Sequence, residues 1–367
     1  MRILVGFLSL ALIALMLAEF FIVFLLPRRV KREPRIARLL LLALWKPWRA
    51  MASRLPRVSA DTVLGIFGPL GLLLILGILS SGLIMGFTGL QWANYSRLDG
   101  VSTPGLADDL YFSTGSFLSA STPLSAGDGL AKAIEIVEAT SGFAVLFIAI
   151  GYLPALFQAF SRRETAISQL DPRAGSPPTA GALLVRSGQR GGWAELDGYL
   201  REWETWTAEL METHLSYPII GYFRSQHINQ NWLAALTTVV DACAFTMAYA
   251  PEDSVEAAEL TFAIGRHALA DLAFTFRAPM PHTRPDRLSD AELEELASRL
   301  EGSGLELAQD EGAAKGRLAD LRGSYEKYAV AISRQLALPL PGWLPPEDVI
   351  ENWRLASALR RRNKPLL

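Results

Sequence analysis

Three long hydrophobic runs dominate the first 160 residues of the chain. They extend over Ile3–Leu26, Thr62–Trp92 and Ile134–Phe160. A helix of roughly 20 apolar residues crosses the hydrocarbon core of a bilayer, which is about 30 Å thick. The runs therefore predict three transmembrane helices. The first is too long for the apolar part of a signal peptide, and Pro27-Arg28-Arg29 follows it as a stop-transfer flank.

Basic residues predict how these helices are oriented. The connection between the first two runs has only Glu33 and Asp61 as acids, against ten basic residues: Arg28, Arg29, Lys31, Arg32, Arg35, Arg38, Lys46, Arg49, Arg54 and Arg57. Cytoplasmic loops are enriched in lysine and arginine. We expect this connection, the Arg162-Arg163 pair and the rest of the C-terminal half to be cytoplasmic. The N-terminus and the connection between the second and third runs then lie outside a bacterial inner membrane.

Within the basic connection, residues 36–55 alternate leucine, alanine and tryptophan with arginine and lysine. This pattern predicts a helix in the cytoplasmic interface of the membrane. Trp45 and Trp48 would lie at headgroup level, with the cations toward anionic lipid. An ordinary basic linker is the alternative interpretation.

Glu19 lies inside the first hydrophobic run. An intramembrane carboxylate is a candidate for a role in transport. The alternatives are a protonated side chain, or one that reaches toward the nearby basic connection.

The connection between the second and third runs contains a shorter helical pattern. Residues 106–119 include aromatic side chains and two acids in the first turn, where carboxylates favour the helix dipole. Residues 119–123 then break the helix, and Gly127-Asp128-Gly129 leads the chain back. Irregular backbone is stable at membrane depth only when it is buried in protein or lines water. We therefore expect a re-entrant pore loop, enclosed by several copies of the chain.

Several motifs in this region are familiar. They are YFS at Tyr111–Ser113, the pattern Thr…Gly-Asp that ends at Asp128, Gly142-Phe143, GYLPALFQAFSRRE (151–164) and LDPRAGSPPTA (170–180). The chain resembles the bacterial potassium-channel family with a single pore loop, most clearly over residues 108–179. A fainter likeness extends to PIIGYFRS and WLAAL in the C-terminal half. The resemblance implies a homotetrameric cation channel with a helical cytoplasmic domain, in which the third transmembrane helix gates the pore.

The segment that corresponds to the selectivity filter departs from the family pattern. Compared with TLGYGD, four residues match: Thr122, Leu124, Gly127 and Asp128. Ser125 replaces the first glycine, Ala126 replaces the tyrosine, and Pro123 is an extra residue. Serine and alanine do not reach the backbone angles that glycine adopts easily. We expect conduction of monovalent cations, potassium among the candidates, with weak or absent potassium selectivity. A membrane sensor or scaffold that does not conduct is the alternative.

Acidic residues and glycines complete the candidate site. Five acids between residues 108 and 138 face only Lys132: Asp108, Asp109, Asp128, Glu135 and Glu138. In a symmetric assembly they would form acidic rings at the outer mouth that concentrate cations. Ordinary solvated surface charges are the alternative.

The third run contains three candidates for a gate hinge: Gly142, Gly151 and Pro154. Close helix packing is the alternative interpretation of these residues.

The C-terminal half predicts an all-α cytoplasmic domain. Residues 166–190 hold Asp-Pro and Gly-Ser-Pro-Pro and are interpreted as a linker. Helical patterns follow near residues 193–210, 252–276, 289–300, 317–338 and 347–362. Residues 232–250 are apolar but contain Asp241 and three threonines, which favours a buried core helix over a fourth span. The chain thus divides into an anchor helix and interfacial helix (1–60), a pore domain (61–165), a linker (166–190) and a helical domain (191–367).

Other function classes have little support in the sequence. The net charge of −2 over 367 residues and the lack of a nucleic-acid motif argue against nucleic-acid binding. Cys243 is the single cysteine, so no internal disulfide is possible. The four histidines do not have a metal-binding spacing, and no phosphate loop or nucleophile motif is present. We therefore expect neither an enzyme nor a metal or cofactor site.

Overall fold

The computed structural model describes residues 1–26, 36–227, 229–307, 310–346 and 351–352. These residues are almost entirely helical, so the predicted all-α class is confirmed. The helices are α1 (Arg2–Phe20, continued by a π-helical turn Phe21–Leu25), α2 (Ile36–Ala52), α3 (Arg57–Ala93), α4 (Leu106–Leu118), α5 (Gly129–Ala174), α6 (Ala180–Gly188), α7 (Gly192–Ser216), α8 (Trp232–Tyr249), α9 (Glu256–Thr275), α10 (Asp290–Glu301) and α11 (Glu311–Leu336). Two strands of two residues each, β1 (Leu98–Asp99) and β2 (Ser125–Ala126), pair antiparallel.

The chain forms two compact units, Met1–Gln158 and Ala159–Leu367. Among the described residues, four helices are long and apolar enough to cross a membrane: α1 with its π-helical end, α3, α5 and α8. The first three coincide with the predicted hydrophobic runs. In α8, 94% of the apolar stretch is buried inside the protein, against 28%, 39% and 22% in the others. Because α8 has almost no surface left for lipid, it is the core helix of the second unit, as its polar residues indicated.

In the first unit, small residues bring α1 and α3 close together. A Cβ added at Gly82 or Gly86 would lie only 2.5 Å from Met16 or Ile13 of α1. A Cβ at Gly89 would collide with the hydroxyl of Ser9. Small residues spaced four apart allow this kind of backbone approach in membrane helices. Helix α1 is therefore packed tightly on α3.

Helix α2 packs against α3 through its tryptophans. Trp45 is 2% exposed, and its ring meets Phe67 edge-on at 4.8 Å. Trp48 donates its Nε1–H to the carbonyl oxygen of Val63 at 2.9 Å. The helix itself agrees with the prediction, and the Trp45 ring packs on Phe67 of α3; its placement at headgroup level stays a prediction. Residues 27–35, with half of the basic cluster, lie outside the described residues.

In the second unit, α8 is surrounded by α6, α7, α9 and α11. Its one carboxylate, Asp241, is fully buried and receives two hydrogen bonds from Arg287, at 3.0 and 2.9 Å. Tyr325 of α11 donates a third bond at 2.5 Å. Although burial lowers the pKa of Arg287, the Asp241 carboxylate more than offsets this and raises that pKa above its usual range. The buried charge is thus fully paired, which the interior requires.

The predicted linker at 166–190 is wrong. Helix α5 extends to Ala174, a turn follows, and α6 begins after Thr179, whose side chain caps it by accepting from Ala182 N–H. Residues 180–184 are buried. The glycines and prolines therefore mark a tight turn between packed helices. Of the helix predicted at 347–362, only residues 351–352 are described.

Candidate functional site

Helix α4 begins at one end of the first unit, where α3 ends and α5 starts. Ser96, just after α3, donates to the Asp109 carboxylate of α4 at 2.6 Å. At the same end, Gln91 of α3 donates to the carbonyl oxygen of Ala131 in α5 at 3.2 Å. The 13 residues of α4 are about 20 Å long at 1.5 Å per residue.

The other end of α4 meets α5 at Gly142, about a third of the way along that 46-residue helix. A Cβ on Gly142 would collide with the carbonyl oxygen of Phe117, the penultimate residue of α4. Gly142 lies 13 residues after Gly129, which is again about 20 Å along α5. Helix α4 therefore packs mainly on α3, begins near the start of α5 and ends against α5 about 20 Å further along, which is roughly two-thirds of the hydrocarbon thickness.

The local sequence defines both ends of α4. Asp108 accepts a hydrogen bond from the Gly105 N–H at 2.9 Å, so its carboxylate lies over the positive end of the helix dipole. At the far end Ser119 adopts a left-handed conformation with φ 54°, and Ala120 N–H bonds back to Gly115 O at 2.8 Å. The chain then turns back toward the start of α5.

We call residues 119–128 the return segment; it contains all seven of the predicted filter residues. Its second half is fixed by the chain before α4. Ser125 and Ala126 pair with Asp99 and Leu98, and Gly127 N–H donates to Arg97 O at 2.7 Å. Leu124 and Ala126 are buried in a cluster with Leu98, Phe112 and Ala131.

The first half of the return segment is also bonded internally. The Thr122 hydroxyl donates to Leu124 O at 3.0 Å, which turns the chain around Pro123. The side chains of Ser121, Pro123 and Ser125 are exposed in the single chain. The Leu124 carbonyl oxygen and the paired residues Ser125 and Ala126 are thus engaged within the chain, which argues against an unbroken row of carbonyls along an axis.

The five predicted mouth acids have different surroundings in one chain. Asp128 accepts from Ala131 N–H at 2.8 Å and from the Asn94 side chain at 3.3 Å, and it caps α5. The Ala131 hydrogen bond lowers the pKa of Asp128, so this group is charged at neutral pH. Asp108 caps α4 as described, and Glu135 is half-buried.

Asp109 and Glu138 are fully buried in the single chain, so neither lies on its surface. One oxygen of Asp109 is satisfied by Ser96, whereas its other oxygen and both oxygens of Glu138 have no hydrogen-bond partner among the described residues. The structure therefore does not gather the five acids at one surface of the chain.

The three predicted hinge residues of α5 have different packing surroundings. Gly142 is in backbone contact with Phe117, which supports the close-packing alternative at this position. A Cβ at Gly151 would meet nothing within 4 Å, and Pro154 is exposed. Helix α5 continues through all three residues.

Glu19 is 1% exposed and accepts from Ala37 N–H, in the first turn of α2, at 3.4 Å. This contact agrees with the alternative that Glu19 reaches toward the basic connection.

Arg163 has partners that the sequence did not indicate. It belongs to the basic pair after the third hydrophobic run and is 3% exposed. It donates to Ile220 O at 3.0 Å and to Phe223 O at 2.9 Å. A basic pair after an apolar run indicates topology but gives no signal for such burial.

His214 completes the surroundings of Arg163. Its Nδ1–H donates to Leu210 O at 2.8 Å, which leaves Nε2 to accept from Arg163 at 3.3 Å. Burial lowers the pKa of His214 well below its usual range, and the adjacent guanidinium lowers it further. His214 is thus a neutral structural histidine. No group of three or more metal-ligating side chains occurs within the described ranges.

Comparisons of the chain with protein-family models, with curated proteins and with solved structures found no match. The resemblance to potassium channels therefore stays a prediction, and the functional argument rests on the residues and distances given above.

Proposed function

We propose that the protein is an oligomeric membrane channel of the pore-loop class that conducts monovalent cations with weak or absent potassium selectivity. One observation carries the proposal. A helix about two-thirds as long as a span stops against α5 at Gly142, and an irregular segment returns from that depth to the end where α4 began.

The argument for an oligomer follows from the return segment. In a bilayer, backbone outside helices and closed barrels is stable only inside protein or beside water. Residues 119–121 follow the deep end of α4 and are exposed in one chain. Other copies must enclose them around a water-filled axis, and with one loop per chain we propose a homotetramer.

The proposed topology has α1, α3 and α5 as spans. Helix α4 and the return segment lie between the last two spans and open to the outside. The basic connection is cytoplasmic, where the exposed Lys46, Arg49 and Arg54 would meet anionic headgroups. The second unit, which begins at Ala159 within α5, is proposed to be cytoplasmic too, with α8 as its core.

The proposed lack of strong selectivity follows from the hydrogen bonds of the return segment. Potassium filters replace the water shell of the ion with rings of backbone carbonyls. Here the Leu124 carbonyl oxygen accepts from Thr122, and Ser125 and Ala126 are paired with Asp99 and Leu98, so this part of the segment is held within its own chain. The ion would pass hydrated, attracted by charged Asp128 near the mouth.

Purified protein in planar bilayers tests this proposal. We expect unitary currents, and a reversal potential near zero when potassium and sodium chloride face each other. A strong potassium preference would contradict the proposed open path. A tetramer without currents in any alkali chloride would instead support the scaffold, the alternative that the internal pairing of the return segment favours.

A further inference from the structure

The carboxyl group of Glu138 occupies an unusual position between α4 and α5. Its residue is 0% exposed, and neither oxygen has a hydrogen-bond partner among the described residues. The nearby hydroxyl of Ser113, on α4, is also fully buried and unpartnered. Two unpartnered polar groups on facing helices are rare in native interiors, where buried polar groups are normally satisfied.

No cation in the described structure faces Glu138. Its charged neighbour is Glu135 on α5, which has the same sign. On α4, Asp109 lies one turn before Ser113 and bonds to Ser96, and the cation that attracts Asp109 is Arg2. The neutral amide of Gln91, on α3, bonds to Ala131 O, two turns of α5 before Glu138. An isolated buried carboxylate costs far more than a buried neutral acid.

The space around the group is too small for most ligands. Both oxygens of Glu138 and the oxygen of Ser113 lack accessible surface, so no water-sized space touches them. One turn further along both helices, Gly142 is in backbone contact with Phe117. A hydrated or coordinated metal ion therefore does not fit beside the carboxyl, whereas a proton needs no extra volume.

We propose that Glu138 is a proton-binding site between α4 and α5, occupied at neutral pH. The protonated carboxyl donates its O–H to the Ser113 hydroxyl and so supplies the partner that both groups lack. The proton is taken from the external water and is released to it when the site opens. The position of α4, and with it the return segment, then depends on one proton per chain.

Infrared spectroscopy of the full-length protein in lipid vesicles at neutral pH tests the site directly. We expect the carbonyl band of a protonated carboxylic acid in the wild type. The intensity of the band should fall in Glu138→Gln and stay at the wild-type level in Glu135→Gln, a control one turn away; Asp109 is a second buried carboxyl group that can contribute to the band. A wild type without the band, or a band of unchanged intensity in Glu138→Gln, would overturn the proposal.

Thermal unfolding separates a proton from a metal ion. Glu138→Gln keeps the shape and the neutral charge of the protonated acid, so we expect its unfolding temperature to match that of the wild type. Sodium or potassium chloride should not stabilise the wild type more than the variant. Cation-dependent stabilisation that Glu138→Gln abolishes would show a metal site and overturn the proposal. The proton site rests on the proposed function only for its effect on a pore. Neither infrared spectroscopy nor thermal unfolding requires a current. Failure of the proton site and failure of the proposed channel can therefore be distinguished.

Discussion

Gly142→Ala probes the contact between α4 and α5 most directly. The added Cβ would lie 2.9 Å from the carbonyl carbon of Phe117 and closer still to its oxygen. Backbone atoms cannot rotate away as a flexible side chain does, so α4 must shift as a body. Overpacking of this kind costs about 1–3 kcal/mol.

Gly151→Ala is the matched control, because its Cβ would enter open space. Both glycines lie inside α5, and the gain in helix propensity, up to about 1 kcal/mol, is common to both variants. The difference between the two variants therefore isolates the packing effect. We expect the folded-to-unfolded ratio of Gly142→Ala to be about 5- to 150-fold lower than that of Gly151→Ala.

Thermal unfolding in detergent, followed by tryptophan fluorescence, measures this difference. If the two variants were equally stable, α4 would not end against Gly142, and the proposed contact between α4 and α5 would be refuted. A hinge role makes a separate prediction: both variants would fold like the wild type and differ from it only in gating.

Three further predictions concern other parts of the chain. Asp241→Ala leaves Arg287 buried without its carboxylate, so we expect a loss of about 3–5 kcal/mol in the unfolding free energy of the second unit, measured by limited proteolysis. His214 is neutral in the folded state and its folded pKa lies well below the unfolded value, so its contribution is present at neutral pH and is lost as pH falls below about 6.5, at up to about 1.4 kcal/mol per pH unit. His214→Phe should flatten this part of the stability profile. The double variant Ser9→Cys, Gly89→Cys should form a disulfide, because the two Cβ positions are 3.3 Å apart.

Each of these predictions has a control. Glu295→Gln breaks an exposed pair with Arg299 and should change stability by no more than about 0.5 kcal/mol. His267→Phe makes the same substitution at an exposed position on α9 and controls for the change of side chain. Thiol labelling of Ser9→Cys alone shows whether the second cysteine is needed. Wild-type stability of Asp241→Ala would contradict the buried pair with Arg287. An unchanged pH profile in His214→Phe would contradict a neutral buried His214. Free thiols in the double variant would contradict the close approach of α1 and α3.

The helices could be predicted from the sequence because their signals are local. The length of the apolar runs defines α1, α3 and α5, and Asp241 with its threonines distinguishes the core helix α8 from a span. The break after Leu118 predicted the short α4. The segment 166–190 was misinterpreted because glycine and proline mark tight turns and open linkers alike. Only the burial of residues 180–184 by the rest of the second unit distinguishes the two.

The candidate site was less predictable, because it depends on which face of each helix is covered. One face of α5 is buried, and its residues are spaced by seven, four and three positions: Ala131, Glu138, Gly142 and Val145. When a helix is apolar on all sides, its sequence does not reveal which face packs against the rest of the protein. Glu138 was therefore assigned to an outer mouth, and the importance of Ser113 was missed.

Cysteine modification during current recording tests the central claim most directly, namely that the return segment lies beside the path of the ions. The native Cys243 is buried, so the wild type should not respond. We predict that a positively charged thiol reagent added from outside blocks the current of Ser121→Cys, at an exposed position of the return segment, and leaves that of Thr103→Cys, exposed before α4, unchanged. Full modification of Ser121→Cys without any change in current would contradict the account.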